Sequence, residues 1–285
     1  MKRILVIFNP AARSAKSRTF RKFLDCHAGP NVTLAPTQGP GDATRLAVAD
    51  RAHDLIVAAG GDGTVNEVVN GLGDRPLGVL PFGTVNVFAK ELGIPAGLNA
   101  AWHVLETGRI RTVDLGCAEF AGQTRLFVQL AGVGFDARAV RATSWSLKVK
   151  LGPLSYVVAG VRILRQTHAP IEVAPGIAGA AVLIGNGRYY GGKVRLFPRA
   201  QLDDGLLDVC VFEKFRGRDL IRYLPKIFCA THHRMAGVHY FQTAEFTCRS
   251  AGATPLQLDG EDAGDGPIKF SVKPGALQVL VPNAS

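Results

Sequence analysis

The stretch LIVAAGGDGTVNEVVNGL, Leu55 to Leu72, decides the fold. Six apolar or small residues run into Gly60-Gly61-Asp62-Gly63-Thr64. Beyond the turn, Val65, Val68, Val69 and Leu72 recur at helical spacing and share one face. The spacing predicts a buried strand, a glycine turn and a helix. Thr64 and Glu67 fit a capping box. Free backbone N–H groups and the helix dipole then favour a phosphate at this turn. Glycines let the backbone approach such a group closely. Asp62 adds a carboxylate, which beside phosphate points to Mg²⁺ or to proton transfer. A plain turn, with Glu67 as a simple cap, is the bland alternative. The pattern is neither a Walker A loop nor a GxGxxG fingerprint.

The design recurs downstream. LGVLPFGTVNVFAKELGIP, residues 77–95, runs from a strand through Pro81-Phe82-Gly83-Thr84 into a second predicted helix. Val85, Phe88, Ala89 and Leu92 repeat the spacing, and Gly93 and Pro95 stop it. Upstream, RILVIF and NVTLA read as strands, ending at Asn9-Pro10 and just before Thr37. SRTFRKFLDCH and DATRLAVADRA read as helices, the second with Asp42 as N-cap and Ala43, Leu46 and Ala47 on one face. Alternating strands and helices imply βαβ units and a Rossmann-like parallel sheet. Both glycine turns, Asn9 and Thr37 should then lie at the carboxyl edge, where ligands bind in open α/β sheets.

Near residue 110 the character changes. Short β-like runs follow one another: LFVQLAGVGF, AAVLIGNG, KVRLF, LLDVCVF, AEFTC, PLQLDG, IKFSV and ALQVLV. Helical sections interrupt them at about 145–165 and 217–231. This predicts a β-rich antiparallel sandwich or barrel. The expected division is an α/β nucleotide-binding domain over 1–112, open to completion by the C-terminal residues, and a β-sandwich domain over 113–285.

The chain has 285 residues and is 47% hydrophobic and 20% charged, so it can pack a core. A net charge of +10 favours anionic partners such as nucleotide, nucleic acid or anionic lipid, or is simply solvated surface. Five scattered cysteines without a CxxC argue against a disulfide framework or zinc cluster and for reduced, cytoplasmic thiols. His232-His233 reads as a surface pair. The apolar run Ile4 to Phe8 is too short for a signal peptide, and no run is long enough to span a bilayer. No helix-turn-helix, zinc finger or RNP motif supports nucleic-acid binding.

Taken together, NPAA at 9–12, GGDGTVNEVVNGL at 60–72, the 77–95 stretch, GVGFDA at 132–137, GNGRYYGG at 185–192, QLDDGLLDV at 201–209 and LDGE at 258–261 carry a resemblance. The chain resembles the diacylglycerol kinase catalytic-domain superfamily, which includes bacterial lipid kinases and sphingosine kinases. GGDGT alone is also similar to NAD and phosphofructo-type kinases. The resemblance implies an NAD-kinase-like α/β domain, a β-rich second domain, and transfer of the γ-phosphoryl of ATP to a lipid hydroxyl. By match, Gly60, Gly61, Asp62, Gly63 and Thr64 bind the ATP phosphates with Asn66 beside them, and Asn9, Thr37 and Thr84 contact nucleotide. Glu261 is the implied base, with Asp259 as helper and Asp62 as a further catalytic carboxylate. Gln201, Asp204 and Leu206 resemble a Mg²⁺ site built from one carboxylate and two carbonyls. Read without the resemblance, the two Asp-Gly segments remain ordinary β-turns. One departure stands out. Val87 occupies a position that is often aspartate in the second turn, which removes a carboxylate, one that could link to Asp114.

Residues 138–165 hold Arg138, Arg141, Lys148, Lys150, Arg162 and Arg165 with no acid, interleaved with Trp145, Leu147, Leu151, Leu154 and Tyr156. Such a stretch suits peripheral contact with anionic membrane. A helix with its apolar face in the core is the alternative. The expected partner is a lipid alcohol at the membrane surface, and a homodimer is compatible with the sequence. The competing functions are NAD-kinase-like phosphorylation of a soluble substrate and a non-catalytic nucleotide- or lipid-binding regulator.

Overall fold

The computed structural model describes residues 2–10, 17–142 and 169–283. The chain separates into two compact units, Met1–Val113 with Gly275–Ser285, and Asp114–Pro274.

In the first unit, β1 (Ile4–Phe8), β2 (Val32–Pro36), β3 (Leu55–Gly60) and β4 (Leu77–Pro81) lie parallel in the order β2-β1-β3-β4. Every residue of β3 and β4 is buried. Side chains alternate between faces, so both faces must be covered, which is why these strands read as unbroken apolar runs. The connecting helices are α1 (Ser17–His27), α2 (Asp42–Ala49), α3 (Asp62–Val69), α4 (Val87–Glu91) and α5 (Leu98–Thr107). The end of the last strand, β18 (Ile268–Val281), extends the sheet, with Val279 parallel to Leu77. Because β1 lies between β2 and β3, the direction of winding reverses there. The carboxyl ends of β1 and β3 therefore flank a crevice of the kind that receives ligands.

The second unit centres on a six-stranded antiparallel sheet, in the order β14 (Val238–Thr243), β13 (Leu207–Phe212), β10 (Ala181–Gly185), β7 (Leu130–Gly134), β16 (Pro255–Leu258) and β17 (Glu261–Asp265). Beyond Val113, β5 (Arg109–Phe120) pairs antiparallel with β6 (Gln123–Phe127), and β15 (Glu245–Cys248) pairs with β18. Phe120, Phe127 and Phe270 from these pairs share one core with Val133, Val182, Val209 and Leu256 of the six-stranded sheet. The unit is thus a sandwich. The other face of β10 and β13 packs through Leu183, Cys210 and Phe212 against Tyr223 of α7 (Gly217–Phe228). Among the described residues the remaining elements are α6 (Phe135–Ala142), β8 (Ile171–Ala174), β9 (Ile177–Gly179), β11 (Tyr189–Tyr190), β12 (Val194–Arg195) and a 3₁₀ turn at His232–Arg234.

Four local expectations are corrected. Asp42 is the first helical residue of α2, after Gly41, and its carboxylate accepts from Gln38 N at 2.8 Å instead of capping. LFVQLAGVGF is two strands, broken at Val128-Gln129. IKFSV and ALQVLV are one strand of 14 residues. His232 is not a surface residue. It is fully buried, its Nε2 lies 2.9 Å from the Leu196 carbonyl, and burial lowers its pKa.

Candidate active site

Parallel register aligns the predicted nucleotide residues along one edge. Phe8 pairs with both Pro36 and Ala59, and Gly60 with Pro81. Asn9, Thr37, Gly60-Gly61 and Phe82-Thr84 therefore follow the same row of strand ends. Thr37 N–H donates to Phe8 O at 2.9 Å, which ties β2's exit to β1's. Thr84 is exposed, and Asn9 and Thr37 are half-buried.

The first glycine turn opens directly into α3, with Gly61 as the N-cap residue. The first intrahelical bond is Val65 N–H to Gly61 O at 3.1 Å. The N–H groups of Asp62, Gly63 and Thr64 precede it and have no acceptor within the helix. The second turn is bolted onto the first. Phe82 and Gly83 N–H both donate to Gly60 O, at 2.8 and 3.1 Å. Asn86, at φ 53°, accepts from Gly83 N–H at 2.8 Å and returns a bond to Gly83 O at 3.0 Å. Phe82 also stacks on Phe20 of α1, with ring centroids 3.9 Å apart. The backbones meet closely: a Cβ on Gly83 would lie 2.4 Å from Gly61 Cα.

Asp62 joins the two turns. Its Oδ1 accepts from Phe88 N–H at 3.1 Å, at the start of α4. Burial raises its pKa, opposed by the N–H groups of Val87 and Phe88 and by the charge of Lys90. Val87 is itself buried at 7% exposure. The capping box is corrected: Thr64 does not cap α3, and Glu67 Oε2 accepts from Ala43 N–H at 3.0 Å, holding α2 against α3. Thr64 lies one turn in, with its hydroxyl folded over Gly60, where a Cβ would meet Oγ1 at 2.5 Å. Asn66 is buried, 1% exposed, and its Oδ1 accepts from Asn70 Nδ2 at 3.3 Å.

In the second unit, Glu261 opens β17 opposite Leu258, half-buried, across a turn whose residues Asp259 and Gly260 both have positive φ, 48° and 86°. The Asp259 carboxylate accepts from three successive backbone N–H groups, Val128 at 2.8 Å, Gln129 at 3.0 Å and Leu130 at 2.9 Å. Three donors from one stretch of backbone converge on this single carboxylate. Asp259 therefore fixes the turn; it also breaks LFVQLAGVGF into two strands. Asn186 holds the same crossing from another side, donating to the Asp114 and Val128 carbonyls, both at 2.9 Å.

The sequence marked the GVGFDA and GNGRYYGG motifs but gave Asp136 and Tyr190 no role and did not single out Gln257, which joins them. Gln257, 1% exposed, accepts from Gly260 N–H at 2.8 Å and donates to Asp136 Oδ2 at 2.7 Å. The Tyr190 hydroxyl donates to Asp136 Oδ1. Burial raises the Asp136 pKa, and the Tyr190 and Gln257 bonds oppose it. A Cβ on Gly132 would lie 2.1 Å from Asp136 Oδ2, so GVGFDA needs its glycine here. Gln257→Leu would strand Gly260 N–H and leave Asp136 with one donor. The expected result is a loss of about 1–3 kcal/mol in chemical denaturation.

At QLDDGLLD, Asp204 Oδ1 accepts from Leu206 N–H at 3.0 Å, and Asp114 Oδ2 accepts from Gly205 N–H at 2.7 Å. Burial raises the Asp204 pKa, and the negative charges of Asp114 and Asp203 add to it. Gln201 is exposed and Leu206 half-buried. In the basic 138–165 stretch, residues 143–165 lie outside the described residues. Of the others, Arg141 is exposed but ion-paired: it binds Asp262 at 2.8 Å and Asp265 at 2.9 Å. Arg138 donates to Ala253 O at 3.2 Å. Among the described residues no helix is long and apolar enough to cross a membrane.

Comparison with known proteins accounts for both units. Residues 3–118 match the diacylglycerol kinase catalytic domain, and residues 129–281 match the YegS C-terminal NAD kinase beta sandwich-like domain. The diacylglycerol kinase of Staphylococcus saprophyticus is 31% identical over 300 residues, covering 99% of this chain and 96% of the relative. That of Staphylococcus aureus is 33% identical over 301 residues, covering 99% and 93%. A solved diacylglycerol kinase structure from Bacillus anthracis shares the fold, with a TM-score of 0.75 at 24% identity, covering 98% of this chain and 97% of that one. Matched along nearly its whole length, the chain belongs to the diacylglycerol kinase family of lipid kinases.

Proposed function

We propose that the chain transfers the γ-phosphoryl group of ATP, with Mg²⁺, to the free hydroxyl of diacylglycerol or a closely similar lipid alcohol at a membrane surface. The observation that carries this is the pair of interlocked glycine turns at the carboxyl edge of the parallel sheet. Three uncommitted helix N–H groups and close backbone contact there suit a polyphosphate. The half-buried Glu261, on a turn fixed by Asp259 and Gln257, supports the acceptor side.

Phosphoryl transfer asks for positioning, charge neutralisation and a base. In this reading the N–H groups of Asp62, Gly63 and Thr64 hold the phosphates. Asp62 keeps the second turn in place, and Thr37 and Thr84 flank the nucleotide. Glu261 removes the proton of the lipid hydroxyl as its oxygen attacks the γ-phosphorus. The bond from that phosphorus to the bridging oxygen breaks, and ADP leaves.

Mg²⁺ supplies charge neutralisation when bound. The Asp204 carboxylate with the Gln201 and Leu206 carbonyls offers hard oxygen donors, which suit it. The negative charge crowded around Asp204 is what a divalent cation would relieve. Among the described residues no group of three His, Cys, Asp or Glu side chains suits a metal, so such a site relies on backbone carbonyls. The expected outcome is that millimolar Mg²⁺ raises the Tm of the native chain and leaves that of Asp204→Asn unchanged, read by calorimetry.

The function is tested with radiolabelled ATP and mixed micelles holding diacylglycerol, monoacylglycerol, sphingosine, ceramide or phosphatidylglycerol, with NAD as a soluble control. Label in diacylglycerol, lost in Glu261→Ala, is the expected result. Label in NAD alone would overturn the reading.

A further inference from the structure

We propose that α7 is a membrane-docking helix, which lays Ile221, Leu224 and Phe228 into the headgroup region of an anionic bilayer. The choice of a bilayer as occupant rests on the lipid-kinase reading above; the surface itself does not. Ile221 is 75% exposed, Leu224 41% and Phe228 71%. Only two other large hydrophobic side chains among the described residues are comparably exposed, Val48 and Ile110, and neither is on a helix with a second one. Single exposed apolar residues need no explanation, whereas a contiguous stripe marks a contact surface. The spacing 221, 224, 228 puts all three on one side of the helix.

That side is not the one facing the core. Asp219 and Tyr223, 5% and 3% exposed, face inward, and Tyr223 packs 5.0 Å from the Phe212 ring. A third face carries Arg218, Arg222 and Lys226, spaced four apart and all exposed. Exposed Lys214 and Arg216 precede the helix. Its single acid, Asp219, is buried and accepts from Arg216 N–H at 3.0 Å. The outward surface of α7 is therefore apolar along one arc and basic along the next, with no exposed carboxylate. This pattern fits an interfacial helix on anionic lipid. A second copy of the chain fits worse. A two-fold contact over so narrow a stripe would bring the arginines and lysine of both copies together.

The test is co-sedimentation of the full chain with phosphatidylglycerol/phosphatidylcholine vesicles and with phosphatidylcholine vesicles, without diacylglycerol or ATP. Native protein should sediment with the anionic vesicles and be released by salt. The pair Ile221→Ser/Phe228→Ser should lower that partitioning at least tenfold, and Arg218→Glu/Arg222→Glu likewise. All four positions are exposed, so unchanged Tm values are expected. Both pairs should keep native turnover on a short-chain, water-soluble diacylglycerol. Unchanged vesicle binding in both pairs, or none by the native chain, would overturn the proposal. So would a native dimer that Ile221→Ser/Phe228→Ser dissociates. Because sedimentation needs no turnover, a failed kinase assay leaves this result readable, and the reverse also holds.

Discussion

Glu261→Gln is expected to lower kcat about 10²–10⁴-fold, the range for loss of a positioned base. The amide keeps the shape and hydrogen-bonding reach of the side chain but cannot accept the hydroxyl proton. The fold should barely register the change. The turn before Glu261 is held by the three N–H bonds to Asp259 and by Gln257 to Gly260 N–H, none of which uses the Glu261 side chain. ATP binding should also survive, since the glycine turns belong to the other unit. Single-turnover kinetics, calorimetry and nucleotide titration together check this. A kcat within threefold of native would remove Glu261 from the reaction.

Gly83→Ala is expected to abolish measurable ATP binding and to cost about 1–3 kcal/mol of stability, the usual range for overpacking. The new methyl would sit 2.4 Å from Gly61 Cα and 2.6 Å from Asn86 Oδ1. Asn86 can rotate away, but only by giving up its bonds to Gly83. Gly61 is backbone and can move only by taking the start of α3 with it, and with it the N–H groups proposed to hold phosphate. Nucleotide titration and denaturation of the variant give the readout. Gly29→Ala, where a Cβ has nothing within 4 Å, is the silent control.

Much of the parallel sheet was legible because its strands are covered on both faces. Leu55–Gly60 and Leu77–Pro81 could be read as strands because each is an apolar run ended by a glycine turn. What the sequence misassigned depends on partners far along the chain. Thr64 and Glu67 have capping-box spacing, yet Glu67 is claimed by Ala43, 24 residues earlier. No local pattern marks Val128-Gln129 as a break, because the carboxylate that pins it arrives with Asp259. Asp136 falls within GVGFDA, but nothing local gave it a partner, and Gln257 gave no signal at all. The acid at the start of α6 and the amide in β16 acquire a meaning only when Tyr190 and Gly260 are brought to them. The Arg141 side chain looked free for the same reason: its partners, Asp262 and Asp265, lie more than a hundred residues away.

The seat of Val279 beside Leu77 has a consequence for biosynthesis. Domains generally fold from the N-terminus as they leave the ribosome. Here β4 emerges early, a buried-type strand whose outer edge is taken only when the closing residues of β18 appear. Through most of translation that edge is an unpaired template for foreign strands. A fragment ending at Val113 would keep this vulnerability permanently, so the first unit cannot be harvested by cutting the gene where its longer segment stops.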